Sequence, residues 1–139
     1  MGLRNPLNRN RAVALTADQF RYGFGNAISA EESAALHERW NVPSPMKPLF
    51  EASLANFLPH SPLKVNTASS TRGPLLLTAG GKDHAVPASI TKATKKLYGK
   101  SSATTDLKEF PDRAHSLGID HGWREVADAV LSWLKQHSL

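Results

Sequence analysis

Gly73-Pro74-Leu75-Leu76-Leu77-Thr78-Ala79-Gly80-Gly81-Lys82-Asp83-His84-Ala85-Val86-Pro87 is the stretch on which the fold turns. Leu75 to Ala79 is a short, continuous apolar run closed by a glycine pair, the pattern of a strand buried on both faces. Val86-Pro87 then opens a helical pattern that reaches Leu97 and breaks at Gly99. Thr104 to Phe110 alternates weakly and reads as a second strand ended by Pro111. Beyond it Trp123, Val126, Ala127, Val130, Leu131 and Leu134 recur at the spacing of one helical face, with Asp120 as the expected cap.

Strand, helix, strand, helix predicts a right-handed parallel unit of the α/β class. Two parallel strands are too few to bury a sheet by themselves, so the pattern implies sheet supplied by a missing segment or by a partner chain.

Upstream the character is different. Residues 1–15, with Arg4, Arg9 and Arg11, read as an irregular connector. Thr16 and Gln19 stand as in a capping box ahead of Phe20, and that short helix is expected to end at Asn26 to Ile28. Ser29 opens a second helix with Glu31 and Glu32 in its first turn and Ala35, Leu36 and Trp40 as its apolar positions. Pro43, Pro45 and Pro48 stop it, and Leu49 to Phe57 is compatible with a third short helix before Pro59-His60-Ser61-Pro62. Small helices joined by proline turns have little continuous core, so residues 16–72 are expected to form a cap over residues 73–139.

Bulk properties narrow the classes. The chain of 139 residues carries a net charge of +5, which raises nucleic-acid binding, but its basic residues are split between the N-terminal arm and the polar side of one helix (Lys92, Lys95, Lys96). No nucleic-acid motif accompanies them. The absence of cysteine removes disulfides and thiol chemistry. Ala12 to Leu15 is too short for a signal core or a membrane span, and Pro6 occupies the place where a myristoylation motif needs Ser or Thr. The expectation is a cytoplasmic protein that engages neither nucleic acid nor membrane.

Two loops carry the candidate chemistry. Asp83 follows the first strand, and in open α/β folds ligands gather outside the carboxyl ends of strands. His115, in Phe110-Pro111-Asp112-Arg113-Ala114-His115-Ser116-Leu117, follows the second. A histidine there can act as a general base whose tautomer is fixed by a carboxylate one βα unit upstream. Spacing alone also fits a turn acid and a hydrogen-bonded loop histidine.

Taken together, these residues resemble the α/β-hydrolases, whose chain order is nucleophile, acid, histidine. "GPLLLTAGGKDHAVP" is similar to that family's acid strand and loop, "FPDRAHSL" to its histidine loop with Ala114 where many members have Gly, and Asp120 to Gln136 to its closing helix. "QFRYGFGNAISAEES" and "PLFEASLANF" resemble a helical cap of the family. The resemblance implies a partial α/β-hydrolase fold, Asp83 as triad acid, His115 as base, and a substrate pocket lined by Phe20, Phe24, Trp40 and Phe50. Plain packing between cap and core accounts for those aromatics equally well.

The nucleophile is missing from the pattern. Nothing matches Gly-x-Ser-x-Gly: Gly99-Lys100-Ser101-Ser102-Ala103 lacks the closing glycine and follows a helix, and Ser116 is not on an elbow. The oxyanion donors that accompany an elbow are absent with it. Gly99-Lys100-Ser101 lacks the earlier glycine of a phosphate loop, and Gly23-x-Gly25 lacks the third glycine of a dinucleotide site. Asp112, His115, Asp120 and His121 have metal-ligand chemistry but no rigid i, i+4 pair. The expectation is therefore a piece of a serine-type hydrolase of small acyl substrates, with no metal and no organic cofactor. By itself it should be inactive, and it should self-associate or meet a partner that completes the sheet. The alternative is a non-catalytic binding or interaction module derived from such an enzyme.

Overall fold

A computed structural model describes residues 5–139 of the chain. Arg4, assigned to the connector, lies outside them. The rest of that connector is not wholly irregular. Strand β1 (Ala12–Val13) pairs antiparallel with β2 (Ser44–Pro45), Ala12 opposite Pro45, and Met46 N–H donates to Arg11 O at 3.0 Å. No sequence pattern marks a pair so short and so far apart along the chain.

The β1–β2 pair closes a loop containing helices α1 (Ala17–Gly23) and α2 (Ala30–Trp40). Thr16 caps α1: its hydroxyl accepts from Gln19 N–H at 3.3 Å while Gln19 Oε1 accepts from Thr16 N–H at 3.2 Å. The helix ends at Gly23, three residues before the expected stop. Ser29 Oγ accepts from Glu32 N–H at 3.1 Å and starts α2. The two helices cross closely, since a Cβ on Gly25 would come within 2.9 Å of Ser33 Cβ. Hence the buried face of α2 centres on Ser33. Ala35 and Trp40, expected inward, are exposed, and Leu36 is half-buried. Helix α3 (Lys47–Leu54) runs into a 3-10 turn at Ala55–Phe57, with Leu49, Leu54 and Phe57 all exposed.

The second half is a parallel pair, β3 (Leu75–Gly80) and β4 (Thr105–Phe110), linked by α4 (Ala88–Tyr98) and followed by α5 (Trp123–Gln136). Leu75 lies opposite Thr105, and Gly80 opposite Phe110. Arg72 ties the beginnings of both strands together. Its guanidinium donates to Gly73 O and Thr104 O at 2.9 Å, to Ala103 O at 3.1 Å and to Thr105 Oγ1, and lies over the Tyr98 ring at 5.1 Å.

Burial corrects the sequence expectation for β3. Leu75, Leu76 and Leu77 are only half-buried, because a two-stranded sheet covers neither its edges nor both faces. The enclosed part is the carboxyl end of the pair: Ala79, Gly80 and Phe110 are buried, with Ala114, Ser116 and Asp120 in the loop beyond. Helix α5 buries Val126 and half-buries Ala127, Val130, Trp133 and Leu134, but turns Trp123 and Leu131 outward. Trp133 Nε1 instead reaches Asp106 Oδ2 at 2.7 Å. Gly122 is the N-cap residue of α5; Asp120, the expected cap, has a different set of partners.

Candidate active site

Beyond β3 and β4 the chain forms two loops that touch main chain to main chain. Gly81 N–H donates to Phe110 O and Lys82 N–H to Arg113 O, each at 2.9 Å. A Cβ on Gly80 would stand 2.7 Å from the carbonyl oxygens of Arg113 and Ala114. The glycine pair is thus what lets the acid loop lie on the histidine loop. Ala114 is fully buried there, so its methyl group is accommodated where the family pattern often has glycine.

Asp83 divides its carboxylate between two tasks. Oδ1 accepts from Ala85 N–H and Val86 N–H, both at 2.8 Å, which fixes the carboxylate plane. Oδ2 accepts from His115 Nδ1 at 2.8 Å. An ionised carboxylate offers only acceptors, so Nδ1 carries the proton and the neutral imidazole keeps its lone pair on Nε2. The Asp83 side chain is 6% exposed and that of His115 32%, so the acid is sheltered while the imidazole remains within reach of a reactant.

The N-terminal helices close over this pair. Phe24 stacks on Phe20 with ring centroids 5.2 Å apart and meets the His115 ring edge-on at 4.6 Å. Ser116 N–H donates to Phe24 O at 3.2 Å, Asn26 Nδ2 to Lys82 O at 2.8 Å, and His84 Nδ1 to Tyr22 O at 3.0 Å. Glu32 of α2 accepts from the backbone N–H of His121 at 2.6 Å and from its Nδ1 at 2.7 Å. Partial burial pushes the Glu32 carboxyl up, but the two His121 hydrogen bonds and the nearby His121 and Arg113 charges outweigh it and hold the group below its ordinary range.

A cavity of about 750 Å³ lies beside the pair, within the size range of small-molecule sites. Phe20, Phe24 and Trp40 line it, with Val42, Met46 and Leu49. Phe50 does not: it stands about 100° further around α3 than Leu49, and Met46 and Leu49 take the place expected for it. His84 lines the cavity, whereas His115 does not and is separated from it by Phe24.

Neither candidate serine is available to His115. Ser116 is buried and its Oγ donates to Asp120 Oδ2 at 3.0 Å. Ser101 donates to Ser69 O at 2.6 Å at the far end of β4, about 17–20 Å away for a six-residue strand. The four residues with metal-ligand chemistry are divided among four separate ion pairs. Asp112 pairs with Lys82, His115 with Asp83, Asp120 with Arg113, and His121 with Glu32. Among the described residues no group of His, Cys, Asp and Glu is placed to hold an ion, and no helix is long and apolar enough to cross a membrane.

Two features escaped the sequence reading. His84 adjoins Asp83 in the deciding stretch, yet its neighbour Tyr22 comes from another part of the chain. Asp120 has the spacing of a helix cap, and nothing local announces its link to Arg113.

A parallel strand pair with an acid and a histidine on adjoining loops is a partial α/β-hydrolase fold. Residues 42–138 match the model of the dienelactone hydrolase family, more than two thirds of the chain, and the chain belongs to that family of α/β-hydrolases. Helices α1 and α2 lie before the matched region. Comparison with curated proteins and with solved structures found no match.

Proposed function

We propose that this chain contributes the acid and the base of a serine-type hydrolase acting on an ester or other small acyl substrate, the serine being carried by polypeptide outside these 139 residues. The observation that carries this reading is the hydrogen bond from His115 Nδ1 to Asp83 Oδ2 at the ends of adjacent parallel strands. In it, His115 Nε2 takes the proton of the serine hydroxyl as the oxygen attacks the acyl carbonyl. Asp83 stabilises the imidazolium so formed, and Nε2 returns the proton to the departing alcohol. Water then repeats the sequence on the acyl-enzyme. Residues 16–72 act as a cap whose cavity takes the apolar body of the substrate. None of the described residues lining that cavity is a Lys, Arg, Asp or Glu, which favours a neutral substrate.

The isolated chain should hydrolyse an activated ester no faster than its His115→Ala variant. Joined to a segment bearing the serine elbow, it should gain turnover that falls about 10⁴-fold in Asp83→Asn. Saturable turnover by the isolated chain, abolished by one Ser→Ala change such as Ser116→Ala, would overturn the reading.

The position of Phe24 between cavity and imidazole favours a second reading, a module that binds without turnover. Tight binding of a neutral ester with no hydrolysis in the joined protein would select it.

A further inference from the structure

We propose that Asp120 is the positioning residue of the histidine loop, its buried carboxylate holding Arg113 and Ser116 so that His115 between them projects at Asp83. The inference rests on the reading of His115 as the base. Asp120 is 2% exposed and accepts from three donors: the Arg113 guanidinium and Gly122 N–H (3.0 Å) on Oδ1, and Ser116 Oγ (3.0 Å) on Oδ2. Arg113 stands two residues before His115 and Ser116 one residue after it. Ser116 O in turn accepts from Asp120 N–H at 3.0 Å, closing the loop on itself. Ala114 and Ser116 are buried on either side, so within 113–116 the imidazole is the ring left facing outward.

Energetics say what such a group is for. A buried ion pair rarely stabilises more than apolar residues of the same volume would, because desolvation offsets the attraction. What it supplies is direction, since a carboxylate with three fixed donors admits one arrangement of the chain that carries them. The start of α5 supports the same view. The Arg113 guanidinium occupies the space where any Cβ on Gly122 would fall, and α5 begins without a side-chain cap. The helix forgoes the usual Ser, Thr or Asp at this place in favour of room for the guanidinium.

The test is nitrogen-15 NMR of the full chain, following the Nδ1–H signal of His115, with the ring signals of His60 and His137 as internal standards. Asp120→Asn keeps the shape and removes the charge. The expected result is loss of the His115 Nδ1–H signal, or at least tenfold faster exchange with water, with the standards unchanged. Ser116→Ala, which removes one of the two grips, should speed that exchange severalfold. Arg113→Lys, which keeps a cation beside the carboxylate, should retain the signal. A folded Asp120→Asn chain with an unaltered signal would overturn the proposal; should that variant not fold, an unaltered signal in Ser116→Ala would do so. Asp83→Asn separates the two levels. Loss of the signal there together with its persistence in Asp120→Asn rejects only the positioning role, whereas persistence in Asp83→Asn rejects the acid–base pair and the positioning role with it.

Discussion

Gly81 rests against Pro111 with no space for a side chain between them: a Cβ on Gly81 would lie 2.7 Å from Pro111 Cα and closer still to Pro111 O. The obstacle is backbone, which cannot rotate aside. Gly81→Ala should therefore lift the acid loop off the histidine loop, costing about 1–3 kcal/mol by overpacking. It should also lengthen the Asp83–His115 contact. A urea melt measures the first effect and the His115 Nδ1–H signal the second. Lys82→Ala, on an exposed neighbour, should change neither.

Arg72 gives a second prediction. Arg72→Ala strands the carbonyl of Ala103 at the start of the parallel pair, leaves Thr104 O with the backbone N–H of Leu75 alone, and removes the cation above Tyr98. A loss of about 2–3 kcal/mol is expected. Arg9→Ala, on the exposed arm, should stay within about 0.5 kcal/mol of the parent. Equal urea midpoints for the two variants would contradict the clamp.

Glu32 predicts the pH dependence of the contact between α2 and His121. Its folded carboxyl titrates below its unfolded value, so the linked stability is fully present above the unfolded value and is lost as pH falls through the folded one. In the Glu32→Gln variant the acid limb of the stability curve should be shallower. For a pair this accessible, the loss near neutral pH should be about 0.5–1 kcal/mol. Melting temperatures between pH 7 and pH 3 provide the comparison, and parallel curves for the two proteins would refute it.

Association is the fourth. Val86, Ile90 and Leu97 form an exposed apolar stripe on and before α4, and among the described residues β3 and β4 each pair with no third strand. Such surfaces favour self-association or a partner. Sedimentation should show a mass that rises with concentration, and Ile90→Lys with Leu97→Lys should reduce it. A concentration-independent monomer with a cooperative melt above about 60 °C would show a self-sufficient domain instead.

What the sequence made legible was local. The Thr16–Gln19 box, the Ser29 cap and the Leu75–Ala79 run depend on neighbours within a few residues, and each element begins where its pattern predicts. The nearness of Asp83 and His115 was legible for a related reason, since consecutive parallel strands leave their loops on one side. Exposure was not legible. Trp123 and Leu131 carry the helical spacing of a core face, but the two-stranded sheet is too narrow to cover them. The same limit explains the half-buried leucines of β3. Contacts between distant segments were equally invisible: β1 with β2, His84 with Tyr22, and the displacement of Phe50 by Met46 and Leu49 at the cavity wall.

The edge-on contact between Phe24 and His115 means that the imidazole lies inside the magnetic shadow of a ring carried by the helical segment. Ring currents fall steeply with distance, so the carbon-bound protons of His115 register the seating of α1 without any added label. An event that tilts that helix away, whether ligand entry, acid or mutation, would be written in the chemical shift of a residue some ninety positions further along the chain.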